Sequence, residues 1–456
     1  MNFKKNIKKI IPGFLLNLYH YFLAFFSAVV FFFPSHKLVV IGVTGTSGKS
    51  TTVDFITRIF EEAGRKVASI SSLRFKIGGH EWKNELKMTM PGRFTIQKFL
   101  RQAVNAGCRW VVLEVTSEGI KQYRHKFINF DAAVFTNLNK EHIESHGGFE
   151  NYRAEKLKLF SAGGGSSFGG KVKLNTHIIN IDDENAKYFL EVPAQKTITF
   201  GVDYAYKIND RQLYKYSEHQ ENYSDTPQND SILAENVNGM SFVINRTQFN
   251  LNVLGQFNIY NALAAIAVAN AHGVSLEICK RALEKVSGIP GRMEIIQKNP
   301  FLVVVDYAHT PDQLEKAYRA LSKWSENRKS EIGNRKLISV LGSCGGGRDK
   351  WKRPVLGEIA SRYCREIIIT NEDPYDEDPR QILSEIRSGV TSVHFPASNF
   401  YEILDRREAI KKAISLANQG DTVIITGKGS ESLMCLENGK KIPWDDRQTV
   451  KESLPS

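Results

Sequence analysis

The stretch from Lys37 to Thr52, KLVVIGVTGTSGKSTT, constrains the chain more than any other. The uncharged run Leu38 to Val43 predicts a short buried strand. Gly45 and Gly48 then bound a turn whose backbone can curl until several N–H groups point into one concavity. Lys49 adds a mobile positive charge, and Ser50 or Thr51 offers a hydroxyl for a magnesium ion at a helix start. Gly45, Thr46, Ser47, Gly48, Lys49, Ser50 and Thr51 together suit the triphosphate of a nucleotide. The spacing is GxxGKS, shorter than the common form, because Val43 and not a glycine stands five residues before Gly48. The bland reading is a strand–turn–helix corner with a capping serine. With Gly, Gly, Lys, Ser and Thr in place after a β-rich run, phosphate binding is the better one.

The length of 456 residues leaves room for about three domains at roughly 150 residues each. Hydrophobic content of 42% and charged content of 24% are ordinary for a globular protein. A formal net charge of +12 points to anionic company: nucleotides, acidic substrates or a membrane surface. Nucleic acid is set aside, since there is no zinc finger and no arginine-rich run. Cys108, Cys279, Cys344, Cys364 and Cys435 are scattered without a CxxC pair. Neither a zinc ribbon nor a disulfide framework is indicated, and the pattern fits a reducing cytosol.

Residues 1–36 contain Lys4, Lys5, Lys8 and Lys9 and no acid, and Ile10 to Phe33 is almost wholly apolar. The run is long enough to span a bilayer, which needs about 20 residues. A cleaved signal peptide is disfavoured, because export would separate the phosphate loop from ATP. A single span meets a related objection: four lysines ahead of it keep the N-terminus inside and put the loop outside. A third solution comes from helical spacing. Asn17, His20, Ala24 and Ser27 form a narrow polar or small stripe on an otherwise apolar helix. Such a helix can lie in the plane of an anionic membrane at the inner face, with its small stripe against the protein. Packing on the next domain as an ordinary core helix is the alternative.

Downstream, strands are expected at Val67–Ser71, Trp110–Val115, Ala132–Thr136 and His177–Ile181, with helices at Thr51–Ala63 and Thr95–Ala106. Strand and helix alternating around a phosphate loop predict an α/β domain with a parallel sheet. Gly163 to Gly170 reads as a surface loop, and residues 205–235 as polar and weakly patterned. A hairpin is expected from Met240–Ile244 and Gln248–Leu254, joined at Asn245-Arg246. From Phe301 the alternation restarts, with strands at Leu302–Asp306, Lys336–Leu341, Glu366–Thr370 and Thr422–Thr426 and helices between them. That predicts a second, doubly wound (Rossmann-like) unit. The division expected is 1–36 for the apolar helix, 37–297 for the ATP-binding domain and 298–456 for the C-terminal domain.

Three runs in the central part can carry chemistry. In LEVTSEG, Glu114 ends a strand, where a carboxylate can hold a metal near a phosphate. FTNLNKEHIESHGG offers Asn137, Glu141, His142 and His146. NYRAEKLKLF places Lys156 on a helix, four residues after Tyr152. Each also has a plain reading: a surface acid, a capping or core histidine, a solvated lysine. For Lys156 the residues alone favour the plain one. In the second unit, Gly345–Gly347 with Arg348, and Gly427 with Glu431 in GKGSES, stand at strand C-terminal ends. The glycine run opens a helix and could bind a carboxylate or phosphate; tight turns are the plain reading, and the paired occurrence at strand ends favours substrate binding. Cys344 has no evident base beside it and reads as an inert small residue.

Together these runs resemble the Mur ligases, ATP-dependent amide ligases of peptidoglycan precursor synthesis. GVTGTSGKST resembles the family's phosphate loop, EVTSEG its EVSSHG-type run, and TNLNKEHIESHG its TNL-x-x-DH-x-x-x-HG segment. GQFNIYNALAA, GIPGRME, DYAHTPD and GSCGGGRDKWKRP continue it to the C-terminus. The likeness is strongest to the branch that adds the third amino acid, usually a diamino acid, to UDP-N-acetylmuramoyl-L-alanyl-D-glutamate. It implies that Lys49 and Ser50 hold ATP phosphates and Mg2+, and that Glu114 and His142 hold a second Mg2+. It also implies that Lys156 is carboxylated to a carbamate bridging the metals, against the plain reading. Asn258 is implied near the adenine, and Arg292, Asp306 and His309 in ATP contacts. Thr116, Ser117, Arg348, Asp373, Tyr375, Gly427 and Glu431 are the expected substrate contacts. The catalytic set is then Lys49, Lys156, His142 and Glu114, acting on an amino acid and a muramyl-peptide-like acceptor.

Two departures stand out. Only 36 residues precede the phosphate loop, where members usually carry a UDP-binding domain. TNEDPYDEDP has Asp373, Pro374 and Tyr375 where diaminopimelate-selecting members have DNPR, so a bidentate carboxylate clamp is lost. TMPGR at 89–93 and Glu118 also differ from the family pattern. Two alternatives follow: a related ligase with a lipid-linked or polyglutamate-like acceptor, or a non-catalytic membrane-bound nucleotide-binding scaffold. Lys49, Glu114, His142 and Lys156 occurring together speak against the scaffold.

Overall fold

The computed structural model describes residues 12–86, 88–161, 176–202, 207–209, 232–236, 239–326 and 336–454. The expected strand at the phosphate loop is β1 (Val39–Thr44), the central strand of the larger sheet. Then follow β2 (Val67–Ile70), β3 (Arg74–Ile77), β4 (His80–Lys83), β5 (Trp110–Glu114), β6 (Ala132–Phe135), β7 (Thr176–Asn180), β8 (Lys196–Phe200) and β9 (Lys207–Asn209). Their order is β4-β3-β2-β5-β1-β6-β7-β8-β9. The inner strands from β2 to β8 run parallel, and both edges turn antiparallel. Strands covered on both faces are apolar runs, which is why β1, β5 and β6 are fully or almost fully buried.

Three helices position the site on this sheet. Helix α1 (Gly13–Val30) precedes β1, α2 (Lys49–Glu62) follows it, and α3 (Arg93–Asn105) precedes β5. Helix Phe257–Ala271, apolar nearly all round, packs on α2 and fills one face of the sheet. A meander of β10 (Ile232–Asn236), β11 (Gly239–Ile244) and β12 (Thr247–Leu251) covers that layer. The expected hairpin is therefore the second half of a three-stranded sheet. Asn245 and Arg246 both take positive φ in its turn, 46° and 66°, the backbone of a two-residue hairpin loop. The stretch 205–235 lies mostly outside the described residues, and its described pieces are strands. Gly163–Gly170 lies outside them.

The second sheet joins β13 (Glu294–Gln297), β14 (Leu302–Val305), β15 (Leu337–Leu341), β16 (Glu366–Ile369), β17 (Phe400–Glu402) and β18 (Thr422–Ile425). Its order is β13-β14-β18-β15-β16-β17, parallel except for β13. The expected border between 297 and 298 falls between β13 and β14, which pair with each other. A last hairpin, β19 (Leu433–Cys435) and β20 (Lys441–Pro443), precedes the final helix Asp446–Ser453.

Helix α1 buries only its narrow face. Ala24, Ser27 and Ala28 are at most 1% exposed, His20 is half-buried, and Asn17 points outward. Tyr21 meets Tyr123 and Phe127, and Phe26 meets Phe94 at the start of α3. Among the described residues no helix is long and apolar enough to cross a membrane. The 18 residues of α1 reach about 27 Å at about 1.5 Å per residue, short of a hydrocarbon core of about 30 Å.

Candidate active site

The C-terminal ends of the two parallel sheets face each other across a cleft of about 1000 Å³. One wall begins where β1 gives way to the turn Gly45–Gly48. Gly48 sits at φ 79° at the N-cap of α2, and a Cβ there would stand 2.2 Å from Asn261 Oδ1. No other residue fits that backbone beside that side chain. Asn137 holds the turn from below: its carbonyl accepts from Thr46 N–H at 2.9 Å and its Oδ1 from Ser47 N–H at 2.9 Å. The N–H groups of Gly48, Lys49 and Ser50, in the first turn of α2, have no acceptor among the described residues. Lys49 Nζ folds back onto the Thr46 carbonyl at 2.8 Å. Thr51 lines the cleft beside it.

Ser50 Oγ donates to Glu114 Oε2 at 2.8 Å, and Ser72 N–H reaches the same oxygen at 2.8 Å. Register explains this meeting, since Glu114 at the end of β5 pairs with Val43 at the end of β1. His142 approaches from the loop after β6, at φ 56°, and lines the cleft. Burial pulls its imidazole down to about 4, against the neighbouring Glu141 carboxylate, which raises it. Glu141 is buried; burial raises its carboxyl, but His142, His309 and Lys49 overcome that and hold it well below the usual carboxylate range. Thr116 caps a short helix through Gly119 N–H, and Ser117 Oγ lies 3.2 Å from His146 Nε2. Both Thr116 and Ser117 line the cleft.

Lys156 does not line the cleft. It is 1% exposed beneath the turn, with Nζ donating to the Gly45 carbonyl at 2.7 Å. Burial, and next the nearby Lys49 charge, push its ammonium well below the ordinary lysine value. Loss of a proton from that ammonium is thereby eased. Asn258 is likewise set back: its Nδ2 donates to the Leu254 carbonyl at 2.7 Å and its Oδ1 accepts from Asn261. Phe257, Tyr260 and Asn261 are the residues of that helix that reach the cleft.

The second half supplies the facing wall. The Arg292 guanidinium lies over the Tyr307 ring at 4.2 Å and reaches Ser72 Oγ at 3.4 Å. Asp306 accepts from Met293 and Ala308 N–H at 2.6 and 2.7 Å, and burial raises its carboxyl. His309 Nε2 lies 3.0 Å from Glu141 Oε1. Asp349 accepts from the N–H groups of Ile143 and Glu144 at 3.2 and 3.0 Å, so the loop carrying His142 is stitched to the second half. Near β18, Lys428 is fully buried and donates to both Asp373 oxygens and to Glu431 Oε2, at 2.8–2.9 Å. Gly427, Arg348 and Tyr375 complete this corner. Cys344 Sγ faces Glu372 at 2.9 Å, and burial followed by the two acids raises the thiol well above its usual value. That keeps it protonated and unreactive.

Sequence reasoning left out Asn139, Asp349, Lys428 and Asn261, and gave Glu141 no role. Among the described residues no three His, Cys, Asp or Glu side chains converge as a metal cluster. The donors present still suit Mg2+, which keeps several waters and binds through one or two carboxylates plus substrate phosphates. Ser50 and Glu114, joined at the start of α2, are such a set, and His142 lines the same cleft.

Comparisons with known proteins bear on the family and the fold. The Mur ligase middle domain model matches residues 43–269, and the Mur ligase, glutamate ligase domain model matches residues 291–429. UDP-N-acetylmuramoyl-L-alanyl-D-glutamate--2,6-diaminopimelate ligase of Syntrophomonas wolfei is 37% identical over 92% of this chain and 79% of its own. The same enzyme of Aquifex aeolicus is 37% identical over 92% of this chain and 78% of its own. A solved structure of an enzyme of that name superposes at TM-score 0.55 and 29% identity, covering 91% of this chain and 78% of the other. Mycobacterium tuberculosis folylpolyglutamate synthase complexed with ADP shares the fold, at TM-score 0.64 and 16% identity, over 91% and 92% of the two chains.

Proposed function

The chain belongs to the Mur ligase family, and from that premise we propose how this ATP-dependent ligase adds its amino acid. The acceptor is a UDP-N-acetylmuramoyl-dipeptide-like carboxylate. A carboxylate is a poor electrophile, so the γ-phosphoryl group of ATP passes to its oxygen and gives an acyl phosphate. The amino group of the incoming amino acid then attacks the acyl carbon. The carbon–nitrogen bond forms, phosphate leaves and the amine loses a proton.

The observation that carries this reading is the convergence of Lys49, Ser50, Glu114 and His142 on one side of the cleft with Arg292 and His309 on the other. Lys49 and the open N–H groups of α2 bind and orient the triphosphate. Mg2+ held by Ser50, Glu114 and His142 supplies charge neutralisation during phosphoryl transfer. Arg292 and His309 bring the second half onto the nucleotide and exclude water. Lys156 acts as a carbamate: its ammonium gives up one proton, the amine bonds to CO2, a second proton leaves to solvent, and a buried cation becomes an anion. Support comes from its burial and lowered ammonium beneath the Gly45 carbonyl.

Substrate identity is tested by phosphate release and mass spectrometry with UDP-muramyl dipeptide and a panel of amino acids. Diaminopimelate is the amino acid in the relatives' names. A second reading, lysine, is favoured by one feature: Tyr375 stands where diaminopimelate-selecting members have the arginine of DNPR, and Arg348 is the arginine that lines this corner. A distal carboxylate then has one guanidinium fewer to pair with. No phosphate release with any member of the panel would sink the ligase reading. For Lys156→Arg, the expected loss is at least about 10³-fold in turnover, since guanidinium keeps its charge and forms no carbamate. Turnover within tenfold of the parent, on the order of 1 kcal/mol, overturns the carbamate. Residues 1–33 are read as docking on an anionic membrane surface, supported by the lysines and the outward apolar face of α1.

A further inference from the structure

Most of the large exposed hydrophobic side chains among the described residues lie between Phe14 and Phe32. Phe14, Tyr19, Phe22 and Phe26 of α1 are 57–69% exposed, and Phe32 just beyond it is 80% exposed. The same helix buries its small residues. That is the reverse of a surface helix in a globular protein, which turns its apolar stripe inward. Large residues outward and small ones inward suit a helix with protein on one side and an apolar phase on the other.

The apolar surface does not stop at α1. Phe26 touches Phe94 with ring centroids 6.1 Å apart, and Tyr21 touches Tyr123 at 6.2 Å. The chain neighbours of these two aromatics lead to the cleft. Arg93 donates to the Gln122 carbonyl, and Arg124 donates to the Met90 carbonyl and to Gln122 Oε1. Met88, Met90, Gln122 and Arg124 all line the cleft, on the side of Thr116 and Ser117. Leu86, Met88 and Phe94, each 40–43% exposed, extend the apolar strip from the helix to that mouth.

Charge identifies what covers this strip. Ahead of α1 stand Lys4, Lys5, Lys8 and Lys9, and no acid occurs before Asp54. On α3, Lys98 is exposed, and Arg101 donates to the carbonyls of Phe31 and Phe32 at 2.7 and 3.0 Å, beside the Phe32 ring. An apolar face bordered by cations matches anionic headgroups over acyl chains.

We propose that α1 and the rim residues Leu86, Met88 and Phe94 form one docking surface for an anionic bilayer, so that this mouth of the cleft opens at headgroup level. The proposal rests on the membrane reading above and deepens it, from attachment by a helix to placement of the active-site mouth. Acceptor then enters, and product leaves, beside the membrane.

The test uses the full chain with vesicles of phosphatidylcholine, with or without phosphatidylglycerol. Flotation should rise about tenfold or more with the anionic lipid and fall with added salt. Phe22→Cys, Phe94→Cys and Lys451→Cys variants then carry a polarity-sensitive fluorophore in vesicles containing a quenching lipid. Quenching at positions 22 and 94, and none at 451, is the expected result. Quenching at 22 without quenching at 94 overturns the placement of the mouth and leaves helix attachment standing. No flotation of the unmodified chain overturns both, and so does a lipid-free dimer that shields position 22. Turnover in solution, measured on the same samples, reports on the ligase reading separately.

Discussion

Two glycine turns follow parallel strands, one in each half of the molecule, and their surroundings differ. After β1, the turn Gly45–Gly48 leaves the N–H groups of Gly48, Lys49 and Ser50 open to the cleft. After β15, Gly345 gives its N–H to the Asp373 carbonyl at 2.8 Å, and Gly347 gives its own to Glu377 Oε1 at 3.2 Å. A Cβ on Gly345 would stand 2.2 Å from the Pro374 carbonyl, and one on Gly346 would stand 2.7 Å from the Tyr375 ring. Those glycines let the 373–375 turn come close. The expectation that the second run binds a carboxylate or phosphate is therefore weakened at two of its N–H groups. Glycine count is a poor signal for an anion site; what the neighbours already accept decides it.

Substitutions can break this contrast. Lys49→Met should lower turnover about 10³-fold or more, whereas Lys350→Met, on the exposed side of the second turn, should change it less than about threefold. Steady-state kinetics with both variants checks this, and comparable losses would erase the distinction. Gly48→Ala should weaken nucleotide binding about 100-fold, through the clash with Asn261 and the left-handed backbone. Gly347→Ala, at φ 80° with nothing within 4 Å, should cost about 1 kcal/mol of stability and leave nucleotide affinity unchanged. Calorimetric titration with ATP beside thermal melts separates the two effects.

The halves should also part in acid. His125 and His177 lie in the first half, are 1% exposed, and are lowered by burial to about 3 and about 4. Unfolded, each binds a proton near the ordinary value of 6.5. Below that value the unfolded chain holds more protons, so the stabilisation present above it is lost as pH falls toward the folded values. Near pH 5 the loss is about 2 kcal/mol per histidine. Hydrogen exchange at neutral pH and near pH 5 should show protection falling first in β6, β7 and their neighbours. An equal fall around β14 to β18 would refute this.

How much was legible in the sequence varied with burial. Strands such as β1, β5 and β14 were readable because both faces are covered and the residues form uninterrupted apolar runs. The β3–β4 hairpin was not, since His80–Lys83 is exposed throughout and offers no alternation. Strand β13, only half-buried along its length, was missed for the same reason. Motifs located Lys49, Ser50, Glu114 and His142, whose places follow from strand ends. Glu141 was visible only as one acid among several. Its partner His309 lies 168 positions away, and no local pattern foretells that pairing. Asp349 and Lys428 were hidden likewise, because their partners arrive only when distant strand ends and loops come together.

The stitched loop after β6 has a thermodynamic consequence. Glu141 meets His309, Asn139 Nδ2 donates to Asp312 Oδ2 at 2.8 Å, and Asp349 takes two N–H groups beside His142. The segment that presents His142 is thus ordered by residues of the other half. Whatever draws the halves together strengthens the grip on what His142 holds, and whatever His142 holds draws the halves together by the same factor. Nucleotide and amino acid, resting on opposite walls, then report each other's presence through one short loop.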